Sequence, residues 1–218
     1  MRKFPQIAIV ILMALFQTMV YGQEQSWRCV RDTKGVAVFS KKSTTTGIRI
    51  IKIDTKIKTS LSSLVAIIKD PANHKDWVFL NKHASFLKVD KPFHWVYYAQ
   101  TDAPWPVVDR DLVVEGHLRQ NPKTLEIEID AEALPDFIPP KQGHIRIPYS
   151  TSKWILTPEP GGWVHVQFMV EINVGGSIPK WLSNLTAAKG PYESIIAFRN
   201  QLKKAQYKNA HLSYIQEP

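Results

Sequence analysis

The stretch GWVHVQFMVEINV at 162–174 constrains the fold of this chain more than any other segment. Its even positions, Val164, Val166, Phe168, Val170, Ile172 and Val174, are all apolar, while the odd ones mix Trp163, His165, Gln167, Met169, Glu171 and Asn173. A period of two held this long fits a β-strand with one dry and one semi-polar face, and it fits no helix. TLEIEID at 124–130 repeats the pattern, setting Leu125, Ile127 and Ile129 against Glu126, Glu128 and Asp130. Strands of this kind build antiparallel sheets wetted on one side. Further strands are expected at 36–41, 47–56, 84–89, 93–100, 111–119 and 150–156, many separated by proline-containing breaks.

Helical spacing occurs in only a few places. Ser60 opens a segment with Leu61, Leu64, Val65, Ile67 and Ile68 on one side, closed by Asp70-Pro71. A short turn is expected at 179–184 and a long helix at 191–208. The long one has Pro191 at an early position, Glu193 in its first turn and basic residues in its last. Its stripe of Ile195, Phe198, Leu202 and Ala205 needs an apolar surface to cover it. Neither an internal repeat nor a Gly/Ser linker divides the chain. About eight strands and one long helix therefore imply an α+β fold in a single domain at 23–218, with helices on one face of the sheet.

The start of the chain reads as an export signal. Arg2 and Lys3 precede the apolar run IAIVILMALF at 7–16, and Val20-Tyr21-Gly22 offers compact residues to a signal peptidase, so cleavage is expected after Gly22. The run is bounded by Pro5, Gln6, Gln17 and Thr18, short of the roughly 20 apolar residues a membrane span requires. Residues 1–22 are thus a signal peptide, and the mature protein is expected to be soluble and either periplasmic or secreted. The net charge of +9 falls to +7 without Arg2 and Lys3. That charge suits anionic headgroups or an acidic polymer, and export argues against nucleic acid. Lys189, Arg199, Lys203, Lys204 and Lys208 gather in the last helical segment, which reads as a basic face. Asn184-Leu185-Thr186 fits a glycosylation sequon.

Catalytic signatures are missing. There is no GxSxG, HExxH, GxGxxG or GxxxxGK(S/T) sequence. The single cysteine, Cys29, excludes an intrachain disulfide and a cysteine-based zinc site. Histidines stand at 74, 83, 94, 117, 144, 165 and 211, no two within four residues, so no helical metal pair exists and no metal or cofactor is expected. Asp109-Arg110-Asp111 pairs two acids around an arginine, an arrangement that holds both ionised and favours structure over acid–base work.

Asp70-Pro71 followed by Trp77, then Pro104-Trp105-Pro106 running into Arg110-Asp111, then WILTP at 154–158, then GSIPKWLSN at 176–184, resemble the pattern of the START-domain (StAR-related lipid transfer) family in order and spacing over about residues 27–208. The resemblance implies a helix-grip fold, in which a curved antiparallel sheet wraps a long C-terminal helix and encloses a hydrophobic tunnel. It also implies a mouth formed by the loop at 101–108 and the C-terminal helix. Alternation in 111–119 puts Leu112, Val114, Gly116 and Leu118 on one face, the one that suits a dry cavity. Sterol-carrying relatives place an arginine at the position of Gly116 and its partner acid near Tyr97 or Tyr98, so sterol recognition by that ion pair is not expected here. Candidate tunnel and mouth residues are Tyr98, Trp105, Val107, Leu112, Val114, Gly116, Val166, Phe168, Ile195, Phe198 and Leu202. Arg110 and Asp111 are assigned the structural task of fixing the strand start and the mouth loop.

The expected function is non-catalytic binding and transfer of a lipid or other hydrophobic small molecule, with transient contact to an anionic membrane through Trp105 and the basic helix. One alternative is a cyclase- or aromatase-like enzyme of the same superfamily, using His94, Tyr98, His117 and His165 as proton carriers. Strand parity sets His117 on the face away from the cavity. A third reading is an envelope module whose basic surface binds acidic polymer.

Overall fold

The computed structural model describes residues 26–179, 181 and 189–218. The export segment at 1–22 and the sequon at 184–186 lie outside the described residues, as does most of the turn expected at 179–184.

In chain order the elements are β1 (Arg28–Thr33), β2 (Val36–Lys42), β3 (Arg49–Lys58), α1 (Leu61–Ile68), a 3-10 helix over Pro71–Asp76, β4 (Asn81–Lys91), β5 (His94–Thr101), β6 (Arg110–Gln120), β7 (Ile127–Ala133), β8 (Ile145–Arg146), β9 (Tyr149–Glu159), β10 (Trp163–Asn173), α2 (Gly190–Gln201) and α3 (Ala205–Lys208). One sheet runs β1-β2-β3-β10-β9-β7-β6-β5-β4, all neighbours antiparallel, with β8 added parallel to the start of β6. The long alternating strand β10 lies next to the central strand β9, with Val166 opposite Leu156 of β9 and Thr55 of β3. Register shifts along β4 and in β1 bend the two edges, as bulges do.

The sheet has the two faces that alternation requires. Its inner face packs on α1 and α2 through a core that includes Val36, Val38, Ile53, Leu118, Ile127, Leu156, Val164 and Val166. Phe198 of α2 is wholly buried, its ring 4.9 Å from that of Trp77 and 5.5 Å from that of Trp154. On the outer face Val96, Tyr98 and Val113 form a second, small cluster under Leu134 and Ile138. The chain at 134–147 is pinned there by a buried ion pair. Arg146 meets Asp111 with two hydrogen bonds of 2.9 Å, and Asp111 also accepts from Tyr98 and from the Lys141 backbone N–H.

Two departures from the sequence reading have clear causes. The expected helix at 191–208 breaks after Gln201, where Lys204 turns extended at ψ 142°. The break turns the chain so that Tyr207 is buried and donates a 2.7 Å hydrogen bond to Asp70. The strand expected at 124–130 starts later, because Asn121 folds a turn by accepting from the backbones of Lys123 and Thr124 and Leu125 sits at φ 59°. β1 and β8 leave no mark in the sequence: RCVRDT at the sheet edge does not alternate, and two residues carry no period.

Candidate functional site

The dry face of β10 does two jobs along its length. Val164 and Val166 are filled in by the core, while Phe168, Val170, Ile172 and then Val174 look into empty space. That space is a cavity of about 390 Å³ between the inner face of the sheet and α2. The volume falls within the roughly 300–1,000 Å³ typical of small-molecule sites. Its wall is built by strand alternation: Trp95, Tyr97 and Ala99 from β5, Leu112 from β6, Ile129 and Ala131 from β7, Ser152 and Trp154 from β9. Ile195, Ser194 and Pro191 of α2 close it. His74 from the 3-10 helix and Trp77, Val78 and Phe79 just beyond its end complete the lining.

Polar groups on this wall are few. Trp77 Nε1 and Asn81 Oδ1 are buried there with no hydrogen-bond partner among the described residues. A buried polar atom left unpaired costs on the order of 1–3 kcal/mol, a local strain that the packing around the cavity carries. His74 spends Nε2 on the Ile68 carbonyl at 2.9 Å, and its burial pushes its pKa down against the pull of that bond and of Asp70. It therefore stays neutral in the ordinary pH range. Burial pushes the Tyr97 hydroxyl up to about 12. Arg110 also reaches the cavity, 5% exposed, with its guanidinium donating to the carbonyls of Val108, Val174 and Gly175. Among the described residues no carboxylate pairs with it.

The residues proposed from sequence divide clearly. Leu112, Phe168 and Ile195 stand on the cavity wall. Gly116 lies behind it: a Cβ there would come within 2.6–2.8 Å of three atoms of the Trp95 indole, which covers the glycine and forms part of the wall. Val114, Val166 and Phe198 are buried by the protein's own atoms. Leu202 faces a separate surface cleft with Lys203 and Lys208. Trp105, 91% exposed, and Val107 belong to the loop between β5 and β6, whose ends supply Thr101, Ala103 and Arg110 to the wall.

Tyr98 is a correction. It points to the outer face, bonded to Asp111, because it pairs with Val113 across from the residues that face in. His94, His117 and His165, the other candidate proton carriers, also point away from the cavity, His165 toward Asp54 at 2.8 Å. Arg199 is corrected too. It donates to the carbonyls of Lys34, Gly35 and Lys56, so it ties α2 to the sheet and is not part of a free basic face. The sequence reading misses Trp95, Tyr97, Trp77 and Asn81. The parity of β5 relative to β6 is the signal that reveals the first two.

A curved antiparallel sheet closed by a C-terminal helix over an apolar cavity is the helix-grip architecture of START domains. A StAR-related lipid transfer protein from Xanthomonas axonopodis is 27% identical and superposes with a TM-score of 0.75, covering 82% of this chain and 99% of that one. Human STARD10, at 15% identity and TM-score 0.71, covers 95% of this chain and 83% of its own. In sequence, an uncharacterized protein of Pseudomonas aeruginosa is 27% identical over 195 residues, 89% of this chain and 96% of that protein. No family model matches the chain. On fold and sequence together, the chain is similar to START-domain proteins, a bacterial one among them.

Proposed function

We propose that this protein binds, without chemistry, a single-tailed lipid or similar apolar molecule with an acidic end and carries it between membranes. The observation that carries the reading is the 390 Å³ cavity with a mostly apolar wall. A methylene fills roughly the share of volume of a water molecule, about 30 Å³, so the space suits about a dozen carbons and not a two-chain lipid. Burying such a tail is worth roughly 10 kcal/mol against water, at about 0.8 kcal/mol per methylene. A bilayer offers nearly the same, so the gain is in exchange: the tail is shielded while it crosses water and then returned. Arg110, buried on the wall without a carboxylate partner among the described residues, favours an acidic end. The name of the Xanthomonas relative supports lipid transfer as the class.

Trp105 at the tip of the β5–β6 loop is placed to enter a bilayer interface. Lys189, Lys203 and Lys208, all exposed, add attraction to an anionic surface. No helix among the described residues is long and apolar enough to cross a membrane. Export, with residence in the periplasm or medium, remains part of the proposal on the strength of residues 1–22.

The test is to purify the protein under native conditions, extract it with organic solvent, and titrate a fluorescent fatty acid with competitors. A co-purifying lipid and displacement by medium-chain fatty acids are expected. Failure of both removes the carrier reading. Equal displacement by a fatty alcohol of the same length removes only the acidic end. Trp105→Ala should slow lipid transfer between anionic vesicles while leaving the binding titration unchanged.

A further inference from the structure

On the outer face of the sheet, away from the cavity, the register of β5 and β6 sets His94 directly opposite His117. Glu115 lies two residues along β6, on the same face as His117. One oxygen of its carboxylate is 2.8 Å from His94 Nε2 and the other 3.6 Å from His117 Nε2. The two imidazoles stack, centroids 4.7 Å apart at 18°. All three ligating atoms lie within 4.8 Å of one another.

We propose that His94, Glu115 and His117 form a zinc-class transition-metal site. The argument starts from protons. His94 Nδ1 is 3.1 Å from Asp90 Oδ2 while its Nε2 faces Glu115, so both ring nitrogens point at carboxylates. A neutral imidazole has one N–H, and it can satisfy only one of them. With Nδ1–H given to Asp90, the bare Nε2 lone pair faces an anionic oxygen, and a divalent cation between them turns a repulsion into two bonds. A carboxylate on the far nitrogen of a metal-bound histidine is the usual outer support, fixing the tautomer and ring orientation. Tetrahedral zinc with bonds of about 2.0–2.1 Å holds its ligand atoms roughly 3.3–3.5 Å apart, so the three ligand atoms, already within 4.8 Å of one another, need only small side-chain movements to reach that spacing. Glu132 of β7 stands opposite Glu115 in register, and like charges so placed also favour a cation. Three protein ligands leave a fourth position for water or for a group from a partner. Spacing along the chain could not disclose the site, because the two histidines that the strand pairing sets side by side are 23 positions apart.

Zinc titrated calorimetrically into the chelator-stripped, full chain should bind with a stoichiometry of one. His94→Ala or His117→Ala should weaken it at least about 100-fold, and Asp90→Asn by about 10- to 100-fold with the stoichiometry unchanged. On the unaltered protein, zinc should shift the ring nitrogen resonances of His94 and His117 and leave those of buried His74 in place. No binding, unchanged affinity in both alanine variants, or shifts confined to other histidines would overturn the proposal.

Discussion

Replacing Gly116 by alanine gives the sharpest test of how the cavity wall is built. In an ordinary strand this change stabilises, by roughly 0.5–1 kcal/mol, because glycine gives up more chain freedom on folding. Gly116 has no left-handed backbone that would require a glycine. The added Cβ, however, would meet Trp95 Cε2 at 2.6 Å, Cζ2 at 2.7 Å and Nε1 at 2.8 Å, about a full ångström inside normal carbon contact. Trp95 is 3% exposed and packed into the core, so its rigid ring cannot swing into solvent. Overpacking of this kind costs about 1–3 kcal/mol, which outweighs the entropic gain. Net destabilisation of up to about 2.5 kcal/mol is expected, equivalent to a Tm lower by as much as roughly 10 °C for a domain this size. The indole should also be pushed toward the cavity, weakening binding of the longest fatty acid that the natural protein accepts. Urea unfolding followed by circular dichroism, with the probe titration run in parallel, reads both effects. Trp95→Leu should relieve the clash, so the double variant should lose less than the sum of the two single ones. A Gly116→Ala protein more stable than the parent, or strict additivity with Trp95→Leu, would refute the close approach.

Asp111→Ala should destabilise by about 3–5 kcal/mol, since it strands the buried Arg146 guanidinium, and urea titration measures it directly. Burial works to raise the Asp111 pKa, but the Arg146 hydrogen bonds and charge, the Lys141 N–H and Tyr98 hold it below the ordinary 3.8. The stabilisation is thus complete above pH 3.8 and lost as pH falls through the lower, folded value; an acid titration of stability in which parent and Asp111→Asn run parallel below pH 4 would contradict this. Lys69 lies against the Trp95 and Tyr214 rings, and burial brings its pKa from 10.5 to about 8. Between those values the unfolded chain holds more protons, so stability should rise with pH across that window, and Lys69→Met should flatten the rise in midpoints measured at pH 7.5 and 10. Glu217 accepts from the Leu61 and Ser62 N–H groups at 2.9 and 2.7 Å, capping α1 from the far end of the chain. Glu217→Ala should therefore cost about 0.5–2 kcal/mol in thermal unfolding, with cavity binding retained.

The even positions of 162–174 and the order of the proline- and tryptophan-bearing motifs are enough to announce an antiparallel sheet, a closing helix and the START resemblance. Leu112, Phe168 and Ile195 are legible as wall residues because each sits on an apolar period of its own element. Tyr98 is misplaced by the sequence because YY at 97–98 offers an aromatic to either face, and only pairing of Tyr97 with Val114 and Tyr98 with Val113 decides which one looks inward.

What the sequence settled alone was local: which stretches alternate, which one spirals, where Asp70-Pro71 ends a helix, and that no residue spacing makes a ready catalytic motif. Tertiary structure decided where an apolar face stops being core and becomes cavity. Val166 and Phe168 are equivalent in pattern, yet one is covered by side chains from across the fold and the other is not. It also decided which distant groups meet, as with His94 and His117, or Glu217 and the start of α1. A chain's periodicity records the side a residue faces, whereas the volume left over on that side depends on how the curvature of the sheet and the path of the helix fit together, which no single segment encodes.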